Sequence, residues 1–175
     1  MTQNELPTTS CAFDDPVTRS SLQEAWRRAL IRFAVWVAVW VLLLVVVGVT
    51  RDSGMETVQT VAVILALIGL RPLGLSALSL RCLQGIEAVL RIRPWQFHGP
   101  VRRVPRVRGR GGVPVQIRIG EGEDGWAPVM VARAPFRSRR WMGEMENGAW
   151  FAGDLDRGGV LALPGGRGLM AVRTM

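Results

Sequence analysis

The chain has 175 residues, 49% of them apolar and 21% charged, with a formal net charge of +8 carried on the basic side by 22 arginines and no lysine. One histidine, His98, and two cysteines, Cys11 and Cys82, argue against a multi-histidine metal site and against a disulfide framework. The charge is local: residues 1–70 hold five Arg against six acids, 71–118 ten Arg against Glu87 alone, and 119–175 seven against seven.

Residues 1–20 contain four Thr and two Pro and read as a flexible tail. Ser21-Leu22-Gln23-Glu24 fits a capping box, so the first helix is expected to start just after Ser21 and to run past Arg27, Arg28 and Arg32. From Ala29 to Thr50 the only charge in 22 residues is Arg32. At the helical rise this run spans ~33 Å, close to the ~30 Å hydrocarbon thickness of a bilayer. Val35-Trp36-Val37-Ala38-Val39-Trp40 alternates like a strand, but an isolated strand in lipid leaves its backbone unpaired, so a transmembrane helix is expected over 21–50. Phe33, Trp36 and Trp40 share one helical face and can pack on a second helix or face lipid; neither apolar run carries a GxxxG motif. Arg27-Arg28 suggests an export signal and Cys11 a lipoprotein cysteine, but no small-residue cleavage motif follows Val49 and no apolar run precedes Cys11.

A short external loop, residues 51–57, leads to a second apolar run from Val58 to Leu80, interrupted by Arg71 and Pro72. A span beginning near Glu56 ends near Leu75 and leaves Arg71 ~6 Å from the interface, within snorkelling reach. Beyond Pro72 the helix is expected to continue to residue 92 as an amphipathic piece, with Leu75, Leu78, Cys82, Ile86 and Val89 on its apolar face, lying on the headgroups or entering the cytosol. Arg27, Arg28 and Arg32 before the pair, with Arg71, Arg81, Arg91 and Arg93 at the end of the second helix and after it, set against a net-negative connecting loop, place both termini in the cytoplasm under the positive-inside rule.

Residues 93–112 form an Arg-rich linker broken by Pro94, Pro100 and Pro105. Arg91, Arg93, Arg102, Arg103, Arg106, Arg108 and Arg110 are expected to contact anionic lipids, each contributing roughly 1 kcal/mol near a charged leaflet. The alternative for the same arm is nucleic acid: Arg108-Gly109-Arg110-Gly111-Gly112 resembles an RGG segment, with Trp95 and Phe97 available to stack on bases.

From Val113 the period becomes two. Val113, Val115, Ile117 and Ile119 alternate with polar residues, Trp126–Arg133 follows a glycine-bounded loop, and Trp141 and Met145 alternate with Glu144 and Glu146 up to an Asn147-Gly148 turn signal. Strands are expected again from Ala149, over Val160–Leu163 and over Leu169–Arg173. Five or six short strands over 113–175 predict a small barrel or sandwich with Trp126, Trp141 and Trp150 in its core, and its balanced charge predicts a solvated surface. The fold class is therefore α+β: a two-helix transmembrane hairpin followed by a small all-β cytosolic domain.

At Trp150-Phe151-Ala152-Gly153-Asp154 and Gly158-Gly159-Val160-Leu161-Ala162-Leu163-Pro164-Gly165-Gly166 the sequence resembles uncharacterised small integral membrane proteins of high-GC Gram-positive bacteria. That resemblance covers the last quarter of the chain, and implies a bacterial plasma membrane with no catalytic residues to transfer. The layout is also similar to that of NfeD-type partners of membrane proteases, in architecture only.

Chemistry-bearing groups are sparse. Glu144/Glu146 and Asp154/Asp156 pair carboxylates on one face, and Asp154-Leu155-Asp156-Arg157-Gly158-Gly159 begins like a calcium loop, but Gly165 stands where the closing Glu belongs. Ser20, Ser21 and Ser138 lack a histidine partner, Cys82 reads as packing, and the glycines at 109–112 and 165–168 match no phosphate loop. The sequence thus predicts no enzyme and no cofactor, and an interaction or scaffolding role with a protein partner at the inner leaflet.

Overall fold

The computed structural model describes residues 10–52, 56–104, 112–119, 125–135 and 141–175. The chain forms two compact units, Trp26–Arg81 and a second that joins residues 10–25 to Cys82–Met175. Two helices, α1 (Pro16–Asp52) and α2 (Glu56–Leu90), contribute to both.

Within Trp26–Arg81 the two helices are linked by a hydrogen bond from Trp40 Nε1 to the Ala66 carbonyl at 3.1 Å. Phe33, Trp36 and Trp40 are half-buried while Leu42 and Val49, on other faces, are 63% and 64% exposed. On α2 the covered positions are small: Ala62 and Ala66 are buried, and a Cβ on Gly69 would stand 3.5 Å from Trp40 Cδ1. Spacings of four and three put these residues on one face, so small residues on α2 make room for the rings of α1. Pro72 lies inside α2 without ending it. Ser76 Oγ donates to the Pro72 carbonyl at 2.8 Å, a local partner next to the site where proline removes a backbone donor.

The helix α1 begins five residues before the expected capping box at Ser21. Pro16 occupies the first helical position, where its missing N–H costs nothing, and Asp15 caps it: Asp15 Oδ2 accepts the Thr18 N–H at 2.8 Å and the Thr18 hydroxyl at 2.6 Å. A 3₁₀ turn over Ala12–Asp14 precedes it, and the Ala12 N–H donates to the Arg93 carbonyl at 2.9 Å. Residues 10–20, expected as part of a flexible tail, are thus ordered against the C-terminal part of the chain, because Thr18 accepts from the buried Trp95 indole and Ala12 donates to the Arg93 carbonyl.

Seven antiparallel strands follow: β1 (Gln96–His98), β2 (Val101–Arg103), β3 (Val113–Ile117), β4 (Met130–Arg133), β5 (Ala149–Asp154), β6 (Gly158–Leu163) and β7 (Arg167–Thr174). They make one curled sheet, a half-barrel, in the order β1-β5-β6-β7-β4-β3-β2. The first and second strands, separated only by Gly99-Pro100, form its two opposite edges. Hence 93–112, expected as a linker, supplies both borders of the sheet among its described residues. Prolines at 94 and 100 exclude it from the sheet's interior but not from its edges, where an unpaired backbone position is tolerated.

The inner face carries the core: Val101, Val115, Ile117, Met130, Met145, Phe151, Leu161 and Met170 are all at most 1% exposed. Met145 reaches it from a 3₁₀ turn, Gly143–Asn147, where a strand was expected. One apolar residue between two glutamates satisfies either period, and Gly148, at φ 138, ends the turn instead of making a tight hairpin. Of the three tryptophans expected in the core only Trp150 is buried; Trp126 and Trp141 are half-buried, and Trp141 Nε1 donates to Glu146 Oε1 at 3.0 Å. Methionines and Phe151 fill the volume instead.

The opposite face of β5 and β6 is covered too. Trp150, Ala152, Val160 and Ala162 are buried although they alternate with core residues. Leu83, Ile86 and Leu90 of α2 are each 0% exposed, and Trp95 sits 5.9 Å from Trp150 in a tilted ring pair. The last turns of α2 therefore bury their apolar stripe against protein. The stripe is displaced from the expected one, since Leu75 and Leu78 are 53% and 60% exposed.

Candidate functional site

The expected contact residues divide into three groups. Arg27, Arg28 and Arg32 on α1 and Arg71 and Arg81 on α2 are exposed. Arg106, Arg108 and Arg110 lie outside the described residues, as does most of the RGG-like string. Arg91, Arg93, Arg102 and Arg103 are exposed, and each is tied into the fold.

Arg91 closes a helical ion pair with Glu87, Nη2 to Oε1 at 2.6 Å, and its guanidinium lies 4.8 Å from the centre of the Phe13 ring. Arg19 approaches the same ring at 5.2 Å and stands 3.8 Å from Asp14. Each cation–π contact at such an exposed position contributes ~0.5–1 kcal/mol. The Cys11 thiol and the Ser10 hydroxyl both donate to Asp14 Oδ2, and these bonds hold its carboxyl below the usual value. Arg93 contributes its carbonyl to Ala12, as above.

Arg102 is set more firmly. Its Cζ stands 4.0 Å over the Trp126 ring, and its Nε and Nη2 donate to Gln116 Oε1 at 3.3 and 3.1 Å. Gln116 in turn donates to the Ala127 carbonyl at 3.1 Å. Pairing of Arg102 with Gln116 across β2 and β3 aligns the two side chains, so strand register positions this guanidinium. Arg103 Nε is 3.8 Å from Glu146 Oε1, over a groove of about 630 Å³ walled by Pro100, Val101, Val104, Val113 and Pro114.

Trp95, expected to be available for base stacking, is 5% exposed and donates from Nε1 to Thr18 Oγ1 at 3.1 Å. Phe97 is 38% exposed and borders a second groove of about 510 Å³ with Leu163, Pro164 and Arg167. An aromatic pair for stacking is therefore not assembled: the neighbouring rings were legible, but not that one of them is buried.

The calcium-like segment is a hairpin turn between β5 and β6. Asp154 Oδ1 accepts the Asp156 N–H at 3.0 Å, and the Arg157 N–H bonds the Asp154 carbonyl at 3.2 Å. Among the described residues no three His, Cys, Asp or Glu side chains converge as metal ligands. His98 packs edge-on to Phe151 with ring centres 5.7 Å apart, its Nε2 buried without a partner, and burial pushes its pKa down. No family model, no curated protein and no solved structure matches the chain.

Proposed function

We propose that this chain is a bacterial plasma-membrane protein whose two helices cross the bilayer as a hairpin and present the half-barrel, on the cytoplasmic side, for interaction or scaffolding at the anionic inner leaflet. The observation that carries the reading is the exposure of the apolar helices. Val35, Leu42, Val45, Val49, Val61, Ile64, Leu67, Ile68 and Leu70 are 45–64% exposed on the two helices, a belt no soluble monomer leaves in water. Pro16–Thr50 and Thr60–Leu90 are each long and apolar enough to cross a membrane.

Two further features support the arrangement. Residues 10–25 are hydrogen-bonded to the segment that follows α2, through Thr18 with Trp95 and Ala12 with Arg93, so the two flanks of the pair belong on one side. Arginines cluster at those flanks, which supports the cytoplasm as that side. In the bilayer the Trp40 indole N–H would be costly without its Ala66 acceptor. Arg93, Arg102 and Arg103, with Arg106, Arg108 and Arg110, lie on the chain that leaves α2 and meet anionic headgroups; the protein partner is to be captured by crosslinking from membranes.

The test is a reporter enzyme that works only outside the plasma membrane, fused to the full chain. It should stay inactive at the C-terminus and become active when inserted between residues 51 and 57. Strong activity at the C-terminus overturns the topology, and release of the chain from membranes by alkaline carbonate overturns the spans.

A further inference from the structure

The C-terminal segment has balanced charge, but the strand register gathers several of its described arginines on one face. On the outward face of the sheet β4 pairs with β7 so that Val131 opposes Arg173 and Arg133 opposes Ala171. These four side chains share one face, opposite to buried Met130, Ala132 and Val172, and both arginines are exposed. Arg102, paired with Gln116, lies on the same face, and so does Arg118, two residues beyond Gln116. Four strands or their ends thus contribute four arginines to one side of the half-barrel. Of the acids described in residues 112–175, Glu144 and Glu146 lie in the 3₁₀ turn and Asp154 and Asp156 at the β5–β6 turn.

This face adjoins α2. Cys82 is within electrostatic reach of Arg133 and Arg173. It follows Leu75, the last residue of the proposed span, by seven positions, about 10 Å of helix. Guanidinium groups attract anionic lipid most strongly within roughly one Debye length of a bilayer surface, where screening is least.

Resting on the reading of α2 as a membrane span, we propose that Arg133 and Arg173, flanked by Arg102 and Arg118, form a folded headgroup-binding face that holds the half-barrel against phosphatidylglycerol-type lipids. This face is distinct from the Arg106–Arg110 arm. Its geometry is fixed by strand register, so it presents guanidinium groups to the phosphodiester at a set spacing. Arginine suits that task, because its planar fork donates two hydrogen bonds to one phosphate.

The experiment uses the full chain in nanodiscs of phosphatidylcholine alone or with 30% phosphatidylglycerol, at low salt, with thermal unfolding of the β strands as the readout. Arg133→Gln with Arg173→Gln, and Arg173→Gln alone, are compared with Arg106→Gln, Arg108→Gln and Arg110→Gln together. In mixed discs the parent should gain several degrees over phosphatidylcholine; the double variant, with its gain taken against the same variant in phosphatidylcholine, should lose about 4–8 °C of it. The single variant should lose about half as much, and 0.5 M salt should erase the difference. The proposal is overturned if the arm variant alone removes the gain, or if Arg173→Gln and the double variant both retain it. Binding of a DNA duplex by the parent in phosphatidylcholine discs, lost in Arg173→Gln, overturns it in favour of nucleic acid. Carbonate extraction of each variant separates a failed face from a failed span.

Discussion

Thr18 is the side chain through which the first turn of α1 is joined to the segment after α2. Its hydroxyl donates to Asp15 Oδ2 at 2.6 Å and accepts from Trp95 Nε1 at 3.1 Å, and the residue is 0% exposed. Thr18→Val keeps the shape and removes only the oxygen. The Asp15 cap survives, because the Thr18 backbone N–H still donates at 2.8 Å. What is lost is one hydrogen bond to a carboxylate, and what is created is a buried indole N–H without an acceptor. Together these should cost about 2–4 kcal/mol, or about 5–15 °C for a chain of this size. Near-ultraviolet circular dichroism of the full chain in nanodiscs follows the unfolding, since Trp95 and Trp150 form a ring pair in this unit. Trp95→Phe supplies the second edge of a double-mutant cycle. In the Thr18→Val background it should cost about 1–2 kcal/mol less than in the parent. If Thr18→Val unfolds within about 1 °C of the parent, the hydroxyl is not joining the two segments and the argument fails.

Gly166, at φ 71, would drive a Cβ into Thr18 Oγ1, whereas Gly165, at φ 85, has nothing within 4 Å; Gly166→Ala should destabilise by about 2–4 kcal/mol in denaturant titrations and Gly165→Ala by about 1 kcal/mol. Trp40→Phe removes the bond to Ala66 and should weaken the helix pair by about 0.6 kcal/mol in steric-trapping or detergent-unfolding measurements, with no change in the β unit. His98 is held neutral by burial, so the unfolded chain binds its proton first as pH falls: stability should be full above the ordinary imidazole value near 6.5 and decline below it. His98→Gln should flatten that decline, as read by unfolding midpoints between pH 7.5 and 5.

The parts of the fold that rest on local pattern were legible. Two apolar runs became two helices, and the Val113–Ile117, Ala149–Ala152 and Val160–Leu163 alternations became strands. What escaped depends on partners distant in sequence. Asp15-Pro16 is a good helix start, but it competes with Ser21–Glu24 and is selected by the docking of Thr18 on Trp95, 77 residues later. Ala62, Ala66 and Gly69 carry the packing stripe without a GxxxG string, because alanine leaves nearly as much room as glycine against a large ring. The arginines of the site were visible as charges but not as a surface. Arg133 and Arg173 stand next to apolar residues in a segment, 119–175, whose summed charge is zero, and only the pairing of β4 with β7 brings them side by side. Conversely, counting 93–112 as a tether overlooked that Gln96–His98 and Val101–Arg103 have enough extended character to close both borders of a sheet.

Because one folded unit is assembled from residues on either side of the helix pair, its completion is tied to the order of synthesis. Thr18 leaves the ribosome 77 residues ahead of Trp95, an interval of about 4–15 s at ordinary elongation rates. During that time the indole acceptor waits, and on the proposed topology both apolar helices enter the bilayer before the half-barrel closes over Leu83, Ile86 and Leu90. On the proposed topology the finished sheet thereby acts as a record of insertion: a chain in which one of the two helices fails to cross keeps Thr18 and Trp95 on opposite sides of the membrane, and their hydrogen bond cannot form.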